Sequence, residues 1–147
     1  MSDRDLLRCT AALLDQGSTV DRLSRSATSA ALIGLLAVPA LGRWQPWTLV
    51  GYLTIVVVMG AVELYLSIRV GFDRKLFGEQ ACVEREPDFA QLDAALMALG
   101  VMPRRKAGRP LTARVAGARR LLHLQIAALA AQVAVVILGA CVVLAWG

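Results

Sequence analysis

Hydrophobic residues fall along this chain in three blocks separated by charged stretches. The first covers residues 27–41, or 19 residues when widened to 24–42. The second covers 47–68, 22 residues interrupted only by Glu63. The third covers 121–146, 26 residues whose polar members are His123, Gln125 and Gln132. A helix needs about 20 residues to cross a hydrocarbon layer about 30 Å thick. The second and third blocks meet that length with margin, and the first only just. A cleaved signal would also use a short apolar run, and Val38-Pro39-Ala40 offers small residues for a cut. However, the residues before that run carry four Arg and four Asp, not the short positive stretch of a signal. The short gap to the second block predicts two antiparallel helices.

The pattern therefore predicts an all-α integral membrane protein with three transmembrane helices. These are a short-turn helical hairpin (24–42 and 47–68, with an outer turn at 43–46) plus a C-terminal span at 121–146. Before them lies an amphipathic N-terminal segment, 1–23, and between the second and third lies a helical cytoplasmic loop, 69–120. The apolar content of 57% agrees, since soluble domains hold about 45–50% even with Gly counted. It argues against a soluble enzyme, a disulfide scaffold or a disordered tail.

Charge sets the orientation. Four basic residues precede the first block, eleven lie between the second and third, and the hairpin turn holds Arg43 alone. The positive-inside rule makes the basic side cytoplasmic, with the N-terminus inside and the C-terminus outside. Trp44, Trp47 and Trp146 then gather at the outer interface, where indole rings prefer to sit. Arg supplies 14 of the 16 basic residues. Together with the abundance of Ala, this usage points to a GC-rich bacterial genome and so to the bacterial inner membrane, with a periplasmic C-terminus.

The cytoplasmic parts also read as helical. Leu6, Leu7, Leu13 and Leu14 share a face of one predicted helix, which Gly17 would end as a C-terminal cap. Ser18-Thr19-Val20-Asp21 resembles a capping box opening the next helix. Leu64, Ile68, Phe72 and Leu76 repeat at i+4, extending the second block as helix to a predicted stop at Gly78. Arg69 and Asp73 form an i,i+4 pair there. Pro87, Asp88 and Gly100 bound a short helix with Phe89, Leu92, Leu96 and Leu99 along one side. Pro103 and Pro110 mark a loop, and from about Leu111 a helix is predicted to run unbroken into the third block.

Few residues carry chemistry. Glu63 lies about 24 Å along its helix from Trp47, inside the apolar layer and toward the cytoplasmic side. A charge at the centre of a span costs about 2.5–3.5 kcal/mol on insertion scales. Glu63 must therefore face protein or water, or find a partner. An antiparallel third span brings His123 and Gln125 to the same depth. A Glu63–His123 or Glu63–Gln125 contact is thus expected, with Gln132 a second intramembrane polar contact nearer mid-span. The plain reading of such contacts is an interhelical hydrogen bond that holds the bundle.

Arg104, Arg105, Lys106 and Arg109 form a basic cluster fit to contact anionic lipid headgroups. No recognition helix or stacking aromatic accompanies it, so nucleic acid is not the expected partner. The spacings of a phosphate loop, a dinucleotide fold, a zinc protease and a serine hydrolase are all missing. The three cysteines are scattered with no metal-ligand spacing. The expectation is a non-enzymatic protein without cofactor or metal. It is a small membrane accessory that docks partners through cytoplasmic helices or joins a larger complex, with a protein partner or a second copy of itself. The competing expectation is an oligomeric pore-forming or transport subunit, holin-like or a small exporter. Its basis is the three spans together with the charge of Glu63 within one of them.

Overall fold

The computed structural model describes residues 2–38, 47–82 and 89–146, and every regular element among them is helical. The outer turn with Trp44, the helix start at Pro87 and Asp88, and the Trp146 ring lie outside what is described.

Helix α1 (Asp3–Asp15) opens on a reciprocal capping box: Ser2 Oγ accepts from the Asp5 amide, and the Asp5 carboxylate accepts from the Ser2 amide. Leu7, Thr10 and Leu14 face inward. Helix α2 (Gly17–Ala37) follows after Gln16 alone, whose backbone is itself helical. This corrects the predicted boundary. Gly17 is no left-handed cap, since positive φ among the described residues occurs only at Gly100 and Gly108. It is glycine because a Cβ would come within 2.9 Å of Gln125 Oε1 and 3.0 Å of Val70. The Ser18–Asp21 capping box is likewise absent. The chain is already helical at Gly17, Asp21 pairs instead with Arg25, and the Ser18 carbonyl accepts from Arg22.

Helices α3 (Trp47–Cys82) and α5 (Leu111–Trp146) have 36 residues each, about 54 Å. Helix α3 passes through Gly78, the predicted stop. Glycine costs a helix interior about 1 kcal/mol, and burial of Phe77 and Ala81 on either side outweighs it. The two long helices run antiparallel, as Tyr52 meets Val136, Val56 meets Gln132 and Glu63 meets Gln125. Buried residues recur every seven positions on both: Val56, Glu63, Val70 and Phe77 on α3, and Leu111, Ala118, Gln125 and Gln132 on α5. Gly17, Ser24 and Ala31 keep the same spacing on α2. A seven-residue repeat is the seam of left-handed coiled-coil packing. The α1–α2 rod lies antiparallel to α3, with α5 completing a three-rod bundle.

Among the described residues, the contiguous apolar core lies at the loop-side end, built from Leu7, Leu14, Val70, Phe77, Leu111 and Leu122, among others, while Ala31, Val38 and Val56 are buried toward the other end. Helix α4 (Phe89–Ala98) lies beside that end. The Val101 and Gly100 amides turn back to the Leu96 and Met97 carbonyls, and Gly100 sits at φ 69°. That is the Schellman termination only glycine adopts freely. A short 3-10 turn, Arg104–Lys106, leads on toward α5. As expected, α5 begins at Leu111 and is continuous into the third apolar block.

Helices α3 and α5 are long and apolar enough to cross a membrane, and α2 does not reach that criterion.

Candidate functional site

The heptad seam changes character partway along. Toward the apolar half polar residues join it, with Ser24, Glu63, Gln125 and Gln132 buried among Ala31 and Val56. Gln125 Nε2 donates to Glu63 Oε1 at 2.8 Å and to the Gly17 carbonyl at 3.0 Å, joining α5 to both α3 and α2. Two turns further along α5, Gln132 Nε2 donates to Thr28 Oγ1 at 3.0 Å and to the Val56 carbonyl at 3.3 Å. Gln132 Oε1 accepts from the Ser24 hydroxyl at 2.7 Å. Glu63, Gln125 and Gln132 are each 0% exposed. Further out, the Tyr52 hydroxyl donates to the Val136 carbonyl at 3.3 Å. Small residues allow this closeness: a Cβ at Gly60 would overlap Thr28, and one at Gly139 would overlap the Tyr52 ring. Glu63 Oε2 and Gln125 Oε1 are buried with no donor among the described residues.

Of the two partners expected for Glu63, the structure brings Gln125 and not His123. His123 is exposed. It lies at nearly the same depth, but two residues before Gln125 is about 200° around the helix, which turns the imidazole away from the seam. Gln132 is buried between all three rods. Its partners Ser24 and Thr28, and the Gly17 carbonyl that Gln125 meets, were not singled out from the sequence. They lie in a stretch where hydropathy sets no register.

Next to the apolar end of the bundle, an open groove of about 720 Å³ runs between α3, α4, the 101–109 loop and α5. Phe72, Leu76, Leu92, Leu96 and Leu121 line it, together with Arg69, Lys106, Arg109 and Arg120. The basic cluster therefore divides. Lys106 and Arg109 join the groove, while Arg104 and Arg105 project from the 3-10 turn and are exposed. Arg69 comes from another part of the chain, its guanidinium 5.5 Å from the Tyr65 ring centre. Asp73 also lines the groove. Burial raises its carboxyl above the usual range, against the opposing pull of Arg69 and Lys106.

Behind the groove, Asp93 fastens α4 to α5. Its Oδ2 accepts from Arg114 at 2.7 Å and from the Gly108 amide at 2.8 Å, both ends of the pair being largely buried. The Arg114 hydrogen bond holds the Asp93 carboxyl below its ordinary value, aided by the Gly108 amide and against burial. Arg114 also lies 5.3 Å from the Phe89 ring centre. Among the described residues, no cluster of His, Cys, Asp and Glu is arranged to hold a metal ion.

No family model, no curated protein and no solved structure matches this chain.

Proposed function

We propose that the protein is a small accessory protein of the bacterial inner membrane, anchored by three spans. Its basic helical face on the cytoplasmic side engages the anionic leaflet and a partner, or seats the bundle in a larger membrane complex. The carrying observation is the inversion of the bundle's apolar half. There Ile33, Leu36, Ile55, Val58 and Ile137 are more than half exposed, while Glu63, Gln125 and Gln132 are inside. An exposed Ile or Leu forgoes about 1.5–3 kcal/mol relative to burial when its surroundings are water. Hydrocarbon removes that penalty and favours interhelical hydrogen bonds at the centre.

Helix α2 takes part as the third span through its apolar outer end. Ile33 and Leu36, 68% and 80% exposed, continue the skin of α3 and α5, while Arg22 and Arg25 mark the cytoplasmic boundary. With the N-terminus and the 69–120 segment inside, the C-terminus is periplasmic. The accessory reading is favoured over the pore-forming one because Glu63 finds its partner Gln125 within a single bundle.

Two experiments test the proposal. A reporter fused after Gly147 should be active only in the outer compartment, and a cytoplasmic signal would end the three-span topology. Purified protein in liposomes should give no ion or solute flux, whereas selective flux would favour the pore-forming subunit. Mild-detergent capture with mass spectrometry then identifies the complex.

A further inference from the structure

The groove combines two chemistries that one kind of ligand needs together. Five cations line it from three separate segments: Arg69 on α3, Lys106 and Arg109 on the loop, and Arg114 and Arg120 on α5; Arg114 is already paired with Asp93, which leaves the other four for a ligand. Apolar side chains line most of the rest, with Asp73 and Gln80 as the other polar members. Its position adds a third fact. Ile68, Leu121 and Leu124 line the groove and also belong to the apolar blocks at 47–68 and 121–146. Ile68 and Leu124 are among the exposed large hydrophobic residues, so the groove is continuous with the apolar skin. Arg69 and Arg120 stand immediately outside those blocks on antiparallel helices, at the level of a headgroup layer. A soluble anion would have no use for the apolar lining. An acidic peptide would have none for an opening onto the bilayer.

We infer that this groove binds one anionic phospholipid. Arg69, Arg120, Lys106 and Arg109 hold its phosphate, and an acyl chain lies along Phe72 and Leu121 toward the apolar skin. The inference rests on the reading that α3 and α5 cross the membrane. Asp73, the acid lining the groove, opposes the anion, so its charge limits how tightly the lipid is held.

The test uses the full chain in mild detergent, titrated with phosphatidylglycerol or phosphatidylcholine and read by native mass spectrometry. One phosphatidylglycerol should be retained per chain, with phosphatidylcholine held about tenfold more weakly or less. Arg69→Gln with Arg120→Gln should abolish that preference. Lys106→Gln with Arg109→Gln, confined to the loop and away from the bundle's seam, should weaken it without change in helicity. Asp73→Asn should strengthen retention of phosphatidylglycerol. Equal retention of the two lipids, or indifference to both double variants, would overturn the site. So would full displacement by inorganic phosphate, which would mark a soluble-anion site instead. Carbonate extraction of native membranes separates the two levels. A chain that resists extraction but shows no lipid preference has lost only this site, whereas a chain released by carbonate has lost the spanning reading as well.

Discussion

The two ends of this bundle use one heptad seam with opposite contents. At the loop-side end the seam holds Leu7, Val70, Phe77 and Leu111, and charged residues such as Arg8, Lys75 and Arg119 face outward. At the other end Gln132, Ser24, Gln125 and Glu63 enter the seam beside Val56 and Ala31, and Ile, Leu and Val face outward. The backbone geometry hardly differs, since the same long helices run through both. On the membrane reading proposed above, what differs is the medium each end is suited to. In water, helices associate by removing apolar surface, so the centre must be apolar. In hydrocarbon that gain vanishes, and close packing of small residues with interhelical hydrogen bonds takes over. Gly60 against Thr28 and Gly139 against Tyr52 supply the close packing. The glutamines supply the hydrogen bonds.

The sharpest way to break this comparison is to truncate the apolar core of the loop-side end. Phe77→Ala should lower stability by about 3–5 kcal/mol, the usual range for a buried Phe. Unfolding in mixed micelles, followed by circular dichroism, gives the number. A loss below about 1 kcal/mol would mean that the loop-side end is not held together by burial.

The matching change at the other end is Gln132→Leu. It conserves size roughly but removes contacts to Ser24, Thr28 and Val56. Interhelical hydrogen bonds inside bilayers average about 0.6 kcal/mol and reach about 1.7, so a loss of about 1–2 kcal/mol is expected. Combining it with Ser24→Ala should cost less than the two single losses added, because both remove the same bond. Full additivity would show that the bond carries no energy.

Glu63 refines the picture at smaller amplitude. Two buried acceptors, Glu63 Oε2 and Gln125 Oε1, lack a donor among the described residues. Glu63→Gln brings in an amide N–H while keeping shape. It should leave stability unchanged or raise it by up to about 1 kcal/mol. Glu63→Leu removes the acceptor for Gln125 and should cost about as much as Gln132→Leu. If Glu63→Gln proves the more damaging of the two, the carboxylate itself is what the seam requires.

How much of this was legible in the sequence depends on which coordinate is asked for. Depth along a helix follows from counting residues, which is why Glu63 and Gln125 could be placed at one level. Azimuth does not follow from counting in a helix that is apolar all round, so in sequence His123 and Gln125 look equivalent although only Gln125 faces the seam. The positions of α3 and α5 were legible because their apolar blocks are long. The register of α2 was not, because Ser24 and Thr28 look like ordinary polar residues until Gln132 lies between them. Gly17 had two competing uses, a helix cap or a close approach, and only the neighbouring rod decides. The groove was half visible: Lys106, Arg109 and Arg120 belong to one basic stretch of sequence, but Arg69 joins them only through the antiparallel pairing of α3 and α5.

The mildest perturbation concerns α4, which Asp93 ties to α5 and to the Gly108 amide at the loop-side end. The Asp93 carboxyl is held below its ordinary value of 3.8 by Arg114 and the Gly108 amide. A carboxyl depressed in the folded state contributes stability that is fully present above its unfolded value and lost as pH falls through the folded one. The fastening of α4 should therefore be constant from neutral pH down to about 5 and weaken only below 3.8. Protection of the Gly108 amide, corrected for intrinsic exchange, reads this directly, because that N–H donates to Asp93. Asp93→Asn should flatten the acid-side loss, since an amide has no proton to gain there. The seam around Gln132 should show no change over the same interval. If amides of α2 opposite Gln132 lose protection together with Gly108, the two ends of the bundle do not respond separately, and the division between an aqueous and a hydrocarbon half fails.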